Sequence, residues 1–348
     1  MKYAILYNPG HNRVYFDTSL RLSAAEFAVA APKLSVECGE ITRQNICGID
    51  YLTFQTEGEL KLSDIKIISG LSFVYALFKI EAIGGETYFK PVQRVDGAFV
   101  DESIGSILKY TGKTNELFTR MLINVACYSQ NNGESIRLLD PVAGKGTTLY
   151  EGLIKGFDVY GIEIGDAVVN EAYHFVKKFL ETARYKFEYS SMRISGPKRS
   201  FSALRHSFKT AATKEEFKNK NTKTIEFIAG NSLYADKYYK KNFFDIIAGD
   251  LPYGVQHGNV TKENQSSLTR NPAELLSACL PAWSAVLKPG GIIALAWNSN
   301  VLPRGEMENI FEERGLSVLN EGPYLQFEHR VDQSILRDII IAQKWLRV

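Results

Sequence analysis

The run from Ile136 to Thr148, Ile-Arg-Leu-Leu-Asp-Pro-Val-Ala-Gly-Lys-Gly-Thr-Thr, constrains this chain more than any other stretch. Ile136, Leu138 and Leu139 predict a strand, and Gly144 and Gly146 predict a sharp turn. Thr147 and Thr148 then begin a helix whose first apolar face is Leu149, Tyr150 and Leu153. Neither glycine carries a Cβ, so a ligand can come close to the backbone. Free N–H groups at such a turn suit an anionic or carboxylate-bearing ligand. From Ser135 onward strand and helix patterns alternate, which predicts an α/β domain with a mostly parallel sheet.

Three ligands compete for the turn. A P-loop requires G-x-x-x-x-G-K-[ST], but Lys145 stands between the two glycines and is followed by Gly146. A dinucleotide fingerprint requires a third glycine, where Tyr150 or Glu151 stands. An S-adenosylmethionine site requires an Asp ending the first strand, a G-x-G turn and an acidic residue ending the second strand. Asp140, Gly144, Gly146 and Glu163 occur in that order, and a strand-end carboxylate can accept from both ribose hydroxyls. An ordinary strand-to-helix turn remains the bland alternative.

A second stretch shifts the balance. The apolar strand Phe243–Ile247 leads to Asp250-Leu251-Pro252-Tyr253-Gly254. This looks like the [DNS]-P-P-[YFW] motif of methyltransferases that modify an exocyclic or amide nitrogen. A ring-conjugated amine is a poor nucleophile because its lone pair is delocalised. The Asp250 carboxylate and the Leu251 carbonyl accept its hydrogens and aim the lone pair at a methyl sulfonium. Pro252 stiffens the turn and Tyr253 stacks on an extruded base. Catalysis is then positioning and electrostatics, without a covalent intermediate. Leu251 replaces the usual Pro, a change that leaves the backbone carbonyl in place.

With these motifs in view, residues from about 103 to 348 resemble the RNA methylases related to the tRNA guanine-10 N2-methyltransferases, of the THUMP-associated type. The segment Lys109-Tyr-Thr-Gly-Lys-Thr-Asn-Glu-Leu-Phe-Thr-Arg120, Asp140–Thr148 and Asp250–Gly254 carry the likeness, which is faint over the first hundred residues. The resemblance implies a Rossmann-like class I methyltransferase domain. It adds Asn115, Phe118, Thr119, Ala143, Thr147, Asn231 and Ser232 to the cofactor set, and Asp250 serves both cofactor and catalysis. Asn231 and Ser232 are expected near the adenine, and Asn115, Phe118 and Thr119 close the pocket. Plain alternatives are an amphipathic docking helix for the last three and a turn residue for Asn231.

The expected organisation is an N-terminal α+β domain over residues 1–100, a linker and docking helix over 101–133, and the methyltransferase domain over 134–348. In the first part Lys2–Tyr7 reads as a strand. Ser23–Ala31 reads as a helix capped by Ser23, boxed by Glu26 and stopped by Pro32. Apolar runs follow at Ile46–Phe54, Ile65–Ile68 and Phe73–Ile80. The pattern resembles the ferredoxin-like region of RNA methylases, with no room for a complete THUMP domain, and serves either RNA positioning or structural capping. Residues 84–102, rich in Gly, Pro and acidic residues, read as the linker. Thr114 or Asn115 caps a helix carrying Leu117, Phe118, Met121, Leu122 and Val125. Later expectations are a helix over Pro272–Leu287, a Lys288-Pro-Gly-Gly291 turn and a strand over Ile292–Trp297. A helix over Met307–Arg314 follows, then antiparallel final strands over Leu316–Leu319 and Asp338–Trp345.

Charge is concentrated in one place. Residues 177–223 hold 13 Lys or Arg against 4 Asp or Glu, an excess of +9 in a chain of net +2, leaving about −7 elsewhere. Such concentration is the footprint of phosphate binding, with Lys198, Arg199, Arg205 and Lys209 as nucleic-acid contacts. Tyr185, Phe187, Tyr189, Phe201 and Phe208 are candidates for base stacking, with core packing as the bland alternative. His257 in the polar loop to Asn271 is a candidate substrate contact. Cys38, Cys47, Cys127 and Cys279 form no C-x-x-C pair, which argues against zinc or disulfides and fits a reducing cytoplasm. No apolar run reaches 18 residues, so no membrane span is expected.

The resulting expectation is an S-adenosyl-L-methionine-dependent N-methyltransferase acting on RNA, favouring guanine N2 in tRNA, without metal and with the oligomeric state open. A DNA adenine-N6 or cytosine-N4 methyltransferase shares the chemistry. Protein glutamine methylation ranks third, and a non-catalytic RNA-binding protein with this fold is the alternative of another class.

Overall fold

The computed structural model describes residues 1–9, 13–108, 113–130, 133, 135–253 and 272–345. Gly254, His257, the loop to Asn271 and residues 109–112 of the quoted motif lie outside them. The chain divides into two compact units, residues 1–97 with 320–331, and residues 98–319 with 332–348.

The first unit contains β1 (Lys2–Tyr7), α1 (Arg13–Ala30), β2 (Cys38–Ile46), β3 (Ile49–Thr56), α2 (Leu62–Ser69), β4 (Val74–Ile83) and β5 (Glu86–Val92). Its antiparallel sheet runs β2-β3-β1-β4-β5, the ferredoxin-like order with one strand added at the β4 edge. Phe27 packs on Phe54 at 4.7 Å between ring centroids, and Tyr3 stacks on Phe54 at 5.4 Å.

The start of the first helix and the extent of the linker need correction in this unit, and two of the apolar runs find their elements. The helix begins at Arg13, so Ser23 lies inside it, and both Ser23 and Glu26 are buried. Glu26 closes no capping box; its carboxylate accepts from the Ser72 N–H at 3.0 Å and from the Ser72 hydroxyl. The run Ile46–Phe54 spans a hairpin turn at Cys47-Gly48, where both residues take positive φ. Ile65–Ile68 lies on α2, whose buried Asp64 accepts from the backbone N–H groups of Lys61 and Ser35. The expected linker from residue 84 includes β5, because Gly84-Gly85 is another hairpin turn.

The second unit contains α3 (Ser103–Ile107), α4 (Glu116–Tyr128), β6 (Arg137–Asp140), α5 (Thr147–Ile154), β7 (Asp158–Glu163), α6 (Asp166–Thr182), β8 (Phe187–Ser195) and β9 (Ser202–Thr210). It continues with α7 (Lys214–Lys218), β10 (Lys223–Ala229), α8 (Ala235–Tyr238), β11 (Phe244–Asp250), α9 (Pro272–Val286), β12 (Leu287–Asn298), α10 (Arg304–Glu312) and β13 (Leu316–Val318). The chain passes through the first unit's short β14 (His329–Arg330) before β15 (Leu336–Lys344) closes the second.

The second unit's sheet runs β13-β15-β12-β11-β6-β7-β10-β9-β8. β10, β7, β6, β11 and β12 are parallel, and β15 inserts antiparallel between β12 and β13. This is the class I methyltransferase order, with the β8–β9 hairpin added outside β10. The apolar run of β11 is buried throughout because helices cover both sides of a parallel sheet. Trp283, Leu276 and Leu280 of α9 share one core with Ile293, Leu295 and Trp297 of β12. The Lys288–Gly291 segment is drawn into β12 as an irregularity, where the register jumps between Phe244↔Leu287 and Ile246↔Ile292. No described helix is long and apolar enough to cross a membrane.

Candidate active site

The parallel strands end along one edge, where three of the five close on a carboxylate: Asp140 on β6, Glu163 on β7 and Asp250 on β11. Ligands in open α/β sheets sit outside this edge, where the strand order reverses, here between β6 and β11. Asp140 and Asp250 stand on those two strands. Gly249 permits their approach, since a Cβ there would lie 2.7 Å from Asp140 Oδ1.

Three N–H groups of the turn after β6 are already engaged within the protein. The Ala143 N–H donates to Ile162 O at 2.9 Å, and the Gly146 N–H to Ala143 O at 2.8 Å. The Gly144 N–H donates to Glu163 Oε2 at 3.1 Å. What the turn supplies is space and a fixed Glu163, whose Oε1 accepts from the Gly165 N–H at 2.8 Å. A carboxylate has about four acceptor positions, so Glu163 keeps acceptor capacity beyond its Gly144, Ile164 and Gly165 N–H partners. Thr147 opens α5 behind Gly146, which takes a left-handed φ of 93°.

Burial dominates the electrostatics. It lifts the Asp140 carboxyl to about 7, with Asp250 and Glu163 adding to the rise and bonds from Thr148 and the Val142 N–H opposing it. Burial also raises Glu163 above the usual carboxylate range, against the pull of its backbone N–H partners.

Asp250 is the centre of a cluster drawn from distant parts of the chain. Its Oδ2 accepts from Thr114 Oγ1 at 2.7 Å, and its Oδ1 accepts from the Tyr253 hydroxyl. Arg337 of β15 places Nη2 3.7 Å from Oδ2, with its guanidinium 4.3 Å from the Phe118 ring centroid and 5.2 Å from that of Tyr253. Burial, then the Asp250 charge, holds the Tyr253 hydroxyl well above its ordinary value, so it remains a donor. The Leu251 N–H donates to Ala296 O at 2.8 Å, and Asn298 Nδ2 donates to Tyr253 O at 3.5 Å. These bonds fix the Asp-Leu-Pro-Tyr backbone, including Pro252, against β12.

Other candidates are occupied differently. Asn115 caps α4 by accepting from the Leu117 and Phe118 N–H groups, and Thr119 Oγ1 donates to Asn115 O. Phe118 faces the Arg337 guanidinium. Asn231 Oδ1 accepts from the Leu233 N–H, and Ser232 Oγ accepts from Trp283 Nε1. Arg120 of the quoted motif bridges helices, with Nε 2.8 Å from the buried Glu151 of α5.

In the basic segment Lys198 and Arg199 are exposed at the tip of the β8–β9 hairpin. Lys209 is exposed on β9, whereas Arg205 donates to Tyr238 O and lies 3.2 Å from Glu226. Phe208 is fully buried, and Phe201 stacks on Tyr234. The Tyr185 hydroxyl accepts from the Asp101 N–H, and Phe187 packs on Phe208, so of the five aromatics Tyr189 is the exposed one. Its hydroxyl is bonded to His206.

From sequence Thr114 reads only as an alternative cap, and Arg337 carries no local motif: it is the second residue of β15, next to Asp338.

No protein-family model matches the chain, and no curated protein matches it. Among solved structures it is similar to TrmN from Thermus thermophilus, at 13% identity and a TM-score of 0.40 over 77% of this chain and 59% of that one. The chain thus spans about three-fifths of TrmN's length. PH1948 from Pyrococcus horikoshii, provisionally described as an RNA methyltransferase, has 16% identity and a TM-score of 0.40 over 70% of this chain and 96% of its own. A SAM-dependent methyltransferase from Methanosarcina mazei has 17% identity and a TM-score of 0.37, over 62% and 95%.

Proposed function

We propose that the chain is an S-adenosylmethionine-dependent N-methyltransferase acting on an exocyclic amine of a nucleobase in RNA, with guanine N2 in tRNA as the target. The observation that carries this reading is the Asp250 carboxylate, held by Thr114 and Tyr253 at the end of β11 and beside the Asp140–Glu163 edge. The residue set there fits the cofactor: Glu163 for the ribose hydroxyls, Asp140 for the ammonium of the methionine moiety, and the glycine turn for close backbone approach. Bound S-adenosylmethionine supplies an electrophilic methyl group.

The protein's own part is orientation. Asp250 accepts one hydrogen of the target amine and the Leu251 carbonyl accepts the other, so that the nitrogen lone pair points away from both. The entering amine displaces the Tyr253 hydroxyl from Asp250 Oδ1 while Thr114 holds Oδ2. Arg337 lies 5.2 Å from the Tyr253 ring centroid, and the base is expected to stack on this ring. The exposed Lys198–Arg199 tip meets phosphates, and the ferredoxin-like unit positions the RNA.

The test is transfer from labelled cofactor to separate pools of unmodified RNA and DNA, with nucleoside analysis by mass spectrometry. Label in N2-methylguanosine is expected. Label in DNA N6-methyladenine would keep Asp250 and replace the substrate. An Asp250→Ala enzyme that still transfers methyl groups would overturn the mechanism.

A further inference from the structure

Away from the strand-end edge, a cavity of about 690 Å³ opens on one face of the β7-β10-β9-β8 sheet. That volume falls in the range of small-molecule sites. The register explains its construction. Tyr160 pairs with Glu226, Glu226 with Ser207, and Ser207 with Ser190, so four strands present these side chains in one row. The opposite face is closed by α6, where Tyr173 stacks on His206 at 4.0 Å. Glu226 and Thr224 lie in the first half of β10, away from the Ala229 end that leads to Asn231.

The lining combines chemistries that seldom meet without a ligand. Tyr160 and Tyr239, both largely buried, and the half-buried Phe243 form an aromatic wall, with Tyr239 and Phe243 parallel within 8°; Arg137 lies 4.5 Å from the Phe243 ring centroid and Lys240 Nζ 5.6 Å from it. Glu226 is 7% exposed. Its Oε2 accepts from Ser207 Oγ at 2.7 Å, while Oε1 lies 3.2 Å from Arg205 Nε without a hydrogen bond between them. Lys209 and Lys240 stand exposed among the lining residues, as does Glu188, which pairs with Lys209 across the β8–β9 ladder. Arg205 offsets the Glu226 charge, so the lysines are left for an anion while Glu226 keeps acceptor capacity for N–H groups. An apolar ligand would need neither.

We propose that this cavity binds one nucleotide whose base offers adjacent N–H donors, a guanine nucleotide above all. The base packs on the aromatic wall and donates to Glu226, and the phosphate meets Lys209 and Lys240. Guanine presents an imino and an amino hydrogen side by side to a carboxylate. Uracil presents one imino hydrogen flanked by two carbonyls, which a carboxylate repels. The nucleotide is either free or a residue of the RNA chain; the second source rests on the RNA reading above.

The experiment titrates GMP, UMP and inorganic phosphate into the full chain by calorimetry, then repeats the GMP titration with Lys209→Ala/Lys240→Ala. GMP is expected to bind at least tenfold tighter than UMP or phosphate, and the double variant to lose tenfold or more while cofactor affinity holds. Glu226→Gln is expected to narrow the gap between GMP and UMP. Absence of GMP binding, equal affinity for phosphate, or an unaffected double variant would each overturn the proposal. Methyl transfer to RNA, measured on the same proteins, separates the sources. A parallel loss in the double variant assigns the nucleotide to RNA, and unchanged transfer assigns it to free nucleotide. RNA methylation without GMP binding would remove this site and leave the enzymatic reading standing.

Discussion

Thr114 donates a 2.7 Å hydrogen bond to Asp250 across 136 positions of sequence, joining the approach to α4 with the end of β11. The bond fixes one carboxylate oxygen before any amine arrives. Thr114→Val keeps the shape and removes the donor. A bond to a charged acceptor is worth roughly 1.5 kcal/mol, which corresponds to about a tenfold fall in kcat. Steady-state kinetics check this, with cofactor Kd expected to hold. An unchanged kcat would show that Tyr253 and Arg337 suffice to hold Asp250.

Asp140 makes the protein's stability depend on pH in an unusual direction. Its carboxyl sits at about 7 in the fold, against 3.8 ordinarily. Between those values the folded chain binds the extra proton, so this group lowers stability as pH rises from about 4 to about 7. The full effect is on the order of 4 kcal/mol. Asp140→Asn keeps an oxygen for the Val142 N–H and removes the titration. Its melting temperature should gain on the parent at pH 8 and converge with it near pH 4. Cofactor affinity of the parent should strengthen as pH rises through 7, because an ionised Asp140 attracts the ammonium group of the cofactor's methionine moiety. The variant should show a flat profile.

Legibility from sequence followed how local each cause was. Strand ends, the glycine turn and Asp250–Tyr253 were readable because each element carries its own apolar run and its own turn residues. The capping of α4 by Asn115 was readable for the same reason. What failed was nonlocal. Glu26 looked like a capping-box residue, yet it serves Ser72 forty-six positions away. Donors expected free at the turn are bound to Ile162 and Glu163, partners supplied by the next strand. Arg337 reaches Asp250 only because β15 inserts beside β12, a choice of sheet order that no window of sequence displays.

Gly146 is the position at which the turn tolerates least. Its φ of 93° disfavours any Cβ, and a Cβ there would lie 3.0 Å from the Phe227 ring and 3.1 Å from Tyr150. Gly146→Ala is expected to cost about 1–3 kcal/mol of stability and to weaken cofactor binding more than tenfold. Denaturant unfolding and a cofactor titration measure the two. Full cofactor affinity in the variant would mean the ligand does not approach this backbone.

Lys198 and Arg199 form the exposed tip of the added hairpin, and both adopt positive φ, at 52° and 59°. Left-handed backbone costs a non-glycine residue roughly 1 kcal/mol, so this tip is retained against a local preference. Two substitutions separate charge from conformation. Lys198→Gly with Arg199→Gly relieves the backbone and removes the charges, so stability should rise slightly while RNA affinity falls. Lys198→Glu with Arg199→Glu keeps the conformational cost and reverses the charge, so affinity should fall further at equal or lower stability. Each lost phosphate contact should also flatten the dependence of log affinity on log salt by about 0.7 for single-stranded RNA. Binding titrations across a salt series read all of this, and an unchanged slope in both variants would remove the hairpin tip from the RNA interface.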